Sequence, residues 1–318
     1  MGKTKVLITG GAGFIPSSLA KALSENEEME IVLIDNFLTG RIENIPTGKN
    51  IRFIKGDVNN YSDISQIMLS NKFDYVFHYA AVVGVLRTVA NPLLVLNDIK
   101  GINNILGLCV NTGVKRIFFS SSSEVYGEPV ELPQNEDRTP LNSKLPYAIV
   151  KNLGEAYLKA YFIEHGLPYT IFRFFNTYGP NQSADFVVSK YINAALKNEP
   201  LCIYGDGTQS RTFCFIKDNI ETTLNCLYKE IGINEIINVG SENVMSIELL
   251  AKEIISLTKS KSKIVFVDPL KEGDMTRRQP DNLKMKQILG RELISFNEGM
   301  RITIEEILKG NSNLSSVG

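Results

Sequence analysis

The chain has 318 residues, 43% of them hydrophobic, and sets 34 basic residues against 35 acidic ones. That length and apolar content suit one large α/β unit or two lobes sharing an interface. The balanced charge excludes attraction of the whole molecule to nucleic acid or an anionic membrane, so any bound anion needs a local site.

The N-terminus runs from MGKTK straight into a strand, without an apolar signal region. No later apolar run is expected to reach membrane-spanning length, which implies a soluble cytoplasmic protein. Cys109, Cys202, Cys214 and Cys226 lie far apart in apolar stretches. They read as buried reduced thiols, with no metal site expected. Lys5–Thr9, Ile31–Asp35, Ile51–Gly56, Tyr75–Ala80, Arg116–Ser121 and Thr170–Phe175 are short β-branched and aromatic runs. Their continuous apolarity predicts strands covered on both faces. Helical patterns lie between them, at Ser17–Leu23, Ile64–Leu69, Leu93–Val110 and Tyr147–Glu164, the last closed by Gly166 and Pro168. This alternation predicts an α/β fold with a doubly wound parallel sheet, Rossmann-like.

After Asn176 the pattern loosens through NTYGPNQSAD into a helix at Phe186–Leu196, a strand at Leu201–Gly205 and a return strand at Thr212–Lys217. Asp218–Tyr228 and Glu235–Gly240 add a helix and a strand, while Ser246–Thr258, Lys263–Asp268 and the Asn297–Leu308 helix form a small cap. The expected division is a dinucleotide-binding domain of residues 1–175 with return segment 212–240, and a C-terminal α/β substrate cap of residues 176–211 and 241–318. A ligand is expected beyond the carboxyl ends of the parallel strands, between sheet and cap.

Gly10, Gly11 and Gly13 fall between the first strand and first helix. Glycine there permits a tight turn and lets backbone amides approach a pyrophosphate at the helix N-terminus. Asp35 ends the second strand, placed to accept hydrogen bonds from an adenosine ribose, and no Arg or Lys follows it directly. That favours NAD over NADP, because a carboxylate repels a 2′-phosphate. Pro16 stands where such a turn carries its third glycine. It falls in the first helical turn, where its missing N–H breaks no ladder bond, so a slightly displaced helix is expected and the site survives.

Tyr147 and Lys151 stand four apart at a helix start and share one face. The ammonium is expected to lower the phenol from its usual value of about 10 and make it a usable base. Ser120–Ser123 follow the fifth strand at the edge where that tyrosine points, and their hydroxyls can bind a substrate hydroxyl undergoing oxidation.

The order and spacing of these motifs resemble the extended short-chain dehydrogenase/reductase superfamily, in its NAD-dependent nucleotide-sugar epimerase/dehydratase branch, over nearly the whole chain. Matching segments are TGGAGFI, GDV (Gly56–Val58), FHYAA (Phe77–Ala81), SSSSEVYG, PYAIVK, FRFFNTYGP (Phe172–Pro180), IYGDGTQSRTF (Ile203–Phe213) and GDMTRRQPD (Gly273–Asp281). The resemblance implies NAD held by Gly10, Gly13, Phe14, Ile15, Asp35, Asn36, Asp57, Val58, Ala80 and Ala81, with Asp57 on the adenine amine. It implies that Ser122 binds the hydroxyl at sugar carbon 4, that Tyr147 takes its proton, and that Lys151 binds nicotinamide ribose and tunes Tyr147. Asn176, Tyr204, Arg211, Arg277 and Arg87 would contact the UDP-sugar, arginine forks suiting phosphate oxygens. A homodimer through Leu93–Val110 and Tyr147–Glu164 is the family's expectation. Val150 and Thr212 depart from the family's usual serine and aspartate.

Glu124 separates the possible reactions. A 4-epimerase needs no extra acid or base, whereas the branch's dehydratases resemble this segment in carrying a Glu before Val-Tyr-Gly, where it removes the proton at carbon 5. Ser123 replaces the aspartate that usually protonates the departing hydroxyl, and serine is a poor acid. Relatives with the same Glu include UDP-glucuronate decarboxylases, but their motif after FH differs from AAVVGVLRTVANP (Ala80–Pro92). The expected order is therefore a UDP-hexose dehydratase using Ser122, Ser123, Glu124, Tyr147 and Lys151, then a 4-epimerase, then a decarboxylase or an inactive NAD sensor.

Overall fold

The strands form where apolar runs can be covered from both sides. In the computed structural model, which describes residues 2–269 and 277–315, β1 (Thr4–Thr9) leads through α1 (Phe14–Ser24) to β2 (Met29–Asp35) and then β3 (Ile51–Lys55). Helix α2 (Tyr61–Asn71) follows, started by the Asn60 side chain accepting from the Ser62 amide, a cap that satisfies one of the helix's free N–H groups. Next come β4 (Tyr75–His78), two short helices α3 (Val85–Ala90) and α4 (Pro92–Leu96), α5 (Asp98–Thr112) and β5 (Arg116–Ser122). Helix α6 (Pro146–His165) opens on a proline and closes on left-handed Gly166, the pairing of residues that helix ends favour. It leads to β6 (Tyr169–Phe174) and β7 (Thr177–Tyr178).

Beyond them lie α7 (Val187–Leu196), β8 (Leu201–Tyr204), β9 (Ser210–Thr212), β10 (Cys214–Phe215), α8 (Ile216–Tyr228) and β11 (Glu235–Val239). The chain then adds β12 (Val244–Ser246), α9 (Ile247–Thr258), β13 (Ile264–Val267), α10 (Leu283–Leu289) and α11 (Phe296–Ser315). Seven strands make one sheet in the order β11-β6-β5-β4-β1-β2-β3, and every neighbour pair is parallel. Between β1 and β4 the order reverses direction, which is where ligands settle in doubly wound sheets. One apolar core holds α1, α8 and the later elements against the sheet, and a second holds α2, α5 and α6 against the other face. Three two-stranded pairs, β7–β10, β9–β12 and β8–β13, lie outside the main sheet.

Three expectations change. The helix read as Leu93–Val110 is interrupted for one residue at Asn97, between α4 and α5, and Asp98, which opens α5, accepts from the Val82 amide at 2.8 Å and from Asn59 Nδ2 at 3.2 Å. The return strand read as Thr212–Lys217 shrinks to β10, since α8 already begins at Ile216. An apolar segment of spanning length does exist: Pro92–Thr112 has mean hydropathy 1.4 over its best window. Ile102, Ile105, Leu106 and Cys109 from it are buried in the second core. Its hydropathy reflects packing against the sheet on one face and exposed leucines on the other.

Candidate active site

The turn after β1 is tight because neighbouring backbone leaves no room for side chains. A Cβ on Gly10, which has φ +73°, would lie 2.9 Å from Ala80 Cα, and one on Gly11 would lie 2.6 Å from Leu33 Cβ. Thr9 Oγ1 fixes this corner, meeting His78 Nδ1 at 2.9 Å and accepting from the Tyr79 and Ala80 amides at 3.0 Å each. Burial holds His78 far below the usual imidazole range, at about 3, so the ring is neutral and its nitrogen can accept the threonine hydrogen. Helix α1 starts at Phe14 despite Pro16 at its third position. The Phe14 and Ile15 amides therefore remain without intrahelical acceptors at a helix N-terminus, a fit for pyrophosphate.

Asp35 closes the rim. Its Oδ2 accepts from the Ala12 amide at 3.0 Å and its Oδ1 from the Phe37 amide at 2.7 Å. Burial pushes its carboxyl up while those amides pull it down. Asn36 Nδ2 donates to Asp57 Oδ2 at 3.1 Å, and Asp57 Oδ1 receives the Asn59 amide at 2.8 Å. These groups line a cavity of about 470 Å³ along the carboxyl ends of the strands, within the range of small-molecule sites. Among the expected cofactor residues, Gly10, Gly13, Phe14, Ile15, Asp35, Asn36, Asp57, Val58, Ala80 and Ala81 all line it.

The reacting end is built from β5, the 3-10 turn Ser123–Tyr126 after it, and the first turn of α6. Ser122, Ser123, Glu124, Tyr147 and Lys151 line this end together. Ser122 Oγ accepts from the Glu124 amide at 3.2 Å and lies close enough to the Tyr147 phenol to favour its ionised form. Lys151 Nζ donates to Ser120 Oγ at 3.3 Å and sits 5.8 Å from the Tyr147 ring centroid. The expected lowering of the phenol by Lys151 is corrected here. Burial first, then the charges of Glu124 and Asp98, push Tyr147 above its usual value, against the smaller pull of Ser122 and Arg278. Loss of solvent disfavours a phenolate more than these neighbours favour it. Lys151 itself is lowered to about 8 by burial, with Asp98 and Glu155 opposing.

Arg278 enters this site unannounced. Its Nη2 lies 2.6 Å from Glu124 Oε1, both side chains nearly buried. Glu124 Oε2 and Arg278 Nε are closed to solvent and have no hydrogen-bond partner among the described residues, while both residues contribute to the cavity lining. Asn176 and Arg87 also line the cavity. The first donates to the Thr212 carbonyl at 3.0 Å. The second pairs with Asp185 at 3.0 Å.

Tyr204, Arg211 and Arg277 are not among the cavity's lining residues. Arg277 is exposed, Arg211 is buried and donates to the Ser210 carbonyl at 2.8 Å, and Lys190 stacks over Tyr204 at 5.2 Å. The Gly273–Thr276 part of the GDMTRRQPD segment lies outside the described residues. Arg278 and Asp98, neither of them expected from the sequence, line the cavity, whereas Arg277 does not. Adjacent arginines give no signal of which one turns inward.

The NAD dependent epimerase/dehydratase family model matches residues 6–240. A UDP-N-acetyl-alpha-D-glucosaminuronate decarboxylase from Bacillus cytotoxicus is 36% identical, the alignment covering 95% of this chain and 97% of the relative. The solved UDP-glucose 4-epimerase of Thermotoga maritima with UDP-glucose is 31% identical, covers 97% of this chain and 100% of its own, and superposes with a TM-score of 0.91. A UDP-glucuronic acid 4-epimerase from Bacillus cereus, solved with UDP-glucuronic acid and NAD, is 29% identical over 96% of this chain and 99% of its own, with a TM-score of 0.87.

Proposed function

Because the chain belongs to the NAD-dependent epimerase/dehydratase family, whose cofactor is NAD, we propose that it decarboxylates a UDP-hexuronic acid. The observation that carries this reading is the Arg278–Glu124 pair lining the cavity beside Ser122 and Tyr147. A guanidinium in a cavity wall is a receptor for a carboxylate. A hexuronate carries one at carbon 6, beside the carbon 5 that Glu124 was expected to serve. Dehydration, ranked first on sequence, loses support because Ser123 supplies no strong acid for a departing hydroxyl. The relatives named above act on UDP-sugars as decarboxylases and 4-epimerases.

NAD supplies a reversible two-electron oxidation at sugar carbon 4. The protein groups do the rest. Ser122 orients the carbon-4 hydroxyl, and Tyr147 removes its proton and later returns it. Lys151 keeps positive charge near the phenolate. Once carbon 4 is a ketone, the carboxylate at carbon 5 is β to it. The carbon 5–carbon 6 bond then breaks, carbon dioxide leaves, and the electron pair enters an enolate that is protonated at carbon 5. Arg278 holds the departing carboxylate, and Glu124 relays the proton. Reduction at carbon 4 closes a cycle with no net redox change. Asn176 and Arg87 face the sugar nucleotide.

Two carboxyl-labelled substrates, UDP-glucuronate and UDP-N-acetylglucosaminuronate, test the proposal in heavy water. Labelled carbon dioxide and a UDP-pentose with deuterium at carbon 5 are expected. Retained label with inversion at carbon 4 would replace it with 4-epimerisation, the second reading, which the match to the whole Thermotoga epimerase chain favours. Loss of water from UDP-glucose would restore dehydration. Arg278→Lys is expected to lower decarboxylation by about 10²-fold, the scale of a misplaced charge-assisted contact at a reacting centre. We also propose a homodimer, formed where Leu93 of α4 and Ile163 of α6 are each 81% exposed.

A further inference from the structure

We infer that Asn238, outside the cavity, is a positioning residue that sets where Arg278 stands. The inference rests on the role given to Arg278 above. Asn238 lies on β11 and is wholly buried. Its side-chain Nδ2 donates to the Gln134 carbonyl at 2.9 Å and to the Asp281 carbonyl at 3.2 Å. Its amide donates to Glu136 Oε1 at 2.8 Å, and its Oδ1 accepts from the Tyr126 hydroxyl at 2.7 Å. One side chain therefore joins the sheet edge to two loops and to the turn that carries Glu124.

The two loops are themselves paired. The Gln134 amide donates to the Gln279 carbonyl and the Asp281 amide to the Gln134 carbonyl, each at 2.8 Å. Asn135 Nδ2 donates to Asp281 Oδ2 at 2.9 Å. Arg278 immediately precedes this clamped segment, and among the described residues its side chain has one ion-pair partner, Glu124, while its Nε has none. A side chain so sparsely held from its tip is placed by its backbone. The backbone is placed by Asn238.

The same network continues to the other half of the site. The Tyr126 hydroxyl accepts from Arg173 Nη1 at 2.8 Å, Arg173 pairs with Glu155 of α6 through bonds of 2.9 and 2.7 Å, and the Ser121 hydroxyl donates to Glu155 at 2.5 Å. Arg278, the Glu124 turn, the helix bearing Tyr147 and the strand bearing Ser122 are thus joined through one chain of buried polar contacts.

The test is a double-mutant cycle in the NAD-bound enzyme between Asn238→Ala and Arg278→Lys. Two signals are read: carbon dioxide from UDP-glucuronate, and the absorbance of reduced NAD on mixing with UDP-sugar, which reports carbon-4 oxidation in every reaction considered. Asn238→Ala is expected to lower kcat about tenfold with KM within about twofold, the signature of a misplaced reacting group. In the Arg278→Lys background the same change should cost almost nothing. The pH midpoint of carbon-4 oxidation should also rise, because Arg278 no longer offsets Glu124 beside the phenol. Equal losses in both backgrounds, or a change in KM alone, would overturn the inference. Should Asn238→Ala fail to retain NAD, Asn135→Ala loosens the same segment from its more exposed side and is read by the same cycle. Wild-type oxidation without carbon dioxide would sink the uronate reading instead, and the oxidation signal would still decide Asn238.

Discussion

Tyr147 and Lys151 show how burial and charge compete at one helical turn. The phenol stays protonated in the protein alone because desolvation outweighs its favourable neighbours, so a further positive charge beside it must complete the activation. Tyr147→Phe is expected to cut turnover by about 10²–10⁴-fold, the usual worth of a positioned acid–base group. NAD content, measured after denaturation, should stay unchanged. Lys151 titrates near 8 when folded against an ordinary 10.5. The unfolded chain therefore binds more protons between those values, and folding stability rises with pH across that window. In NAD-free enzyme, Lys151→Met should be more stable than wild type near neutral pH, with the gap narrowing from pH 8 to 10.5 in urea titrations. A gap that stays constant instead would place the lysine in a solvated setting with its ordinary titration.

Helix α6 depends on contact with β5 for its position. A Cβ on Gly154 would lie 2.5 Å from Phe119 Cζ and 3.2 Å from Ile102 Cδ1, so the glycine marks a close approach of helix to strand. Gly154→Val is expected to destabilise the protein by about 1–3 kcal/mol through overpacking, measured by denaturant melts. It should also lower kcat, because lifting α6 separates Tyr147 from Ser122. The helix boundaries of α6 were nearly legible in advance, since Pro146 and Gly166 punctuate it. The break at Asn97 was not. Beside it Asp98 accepts from the Val82 amide, a partner sixteen residues away that no local pattern reveals.

At the scale of the molecule, two cores clamp one parallel sheet and leave the cavity along its carboxyl edge. NAD bound there stabilises only the folded chain, so saturation at about 1,000 times Kd should add about 4 kcal/mol and raise Tm by several degrees. Scanning calorimetry with and without NAD measures this. Leu93→Glu should shift sedimentation from two chains to one if the exposed leucine face is the dimer contact. The sequence alone determined the alternation of strands and helices and the glycine turn with Asp35, because each is written in local spacing, and the family resemblance pointed to Ser122, Tyr147 and Lys151, which line one cavity. Only the tertiary structure decided that Arg278, not Arg277, turns inward, that Glu124 is paired, and that burial raises the phenol. Those outcomes depend on which distant segments meet and how much water they exclude, quantities that exist only once the chain has closed on itself.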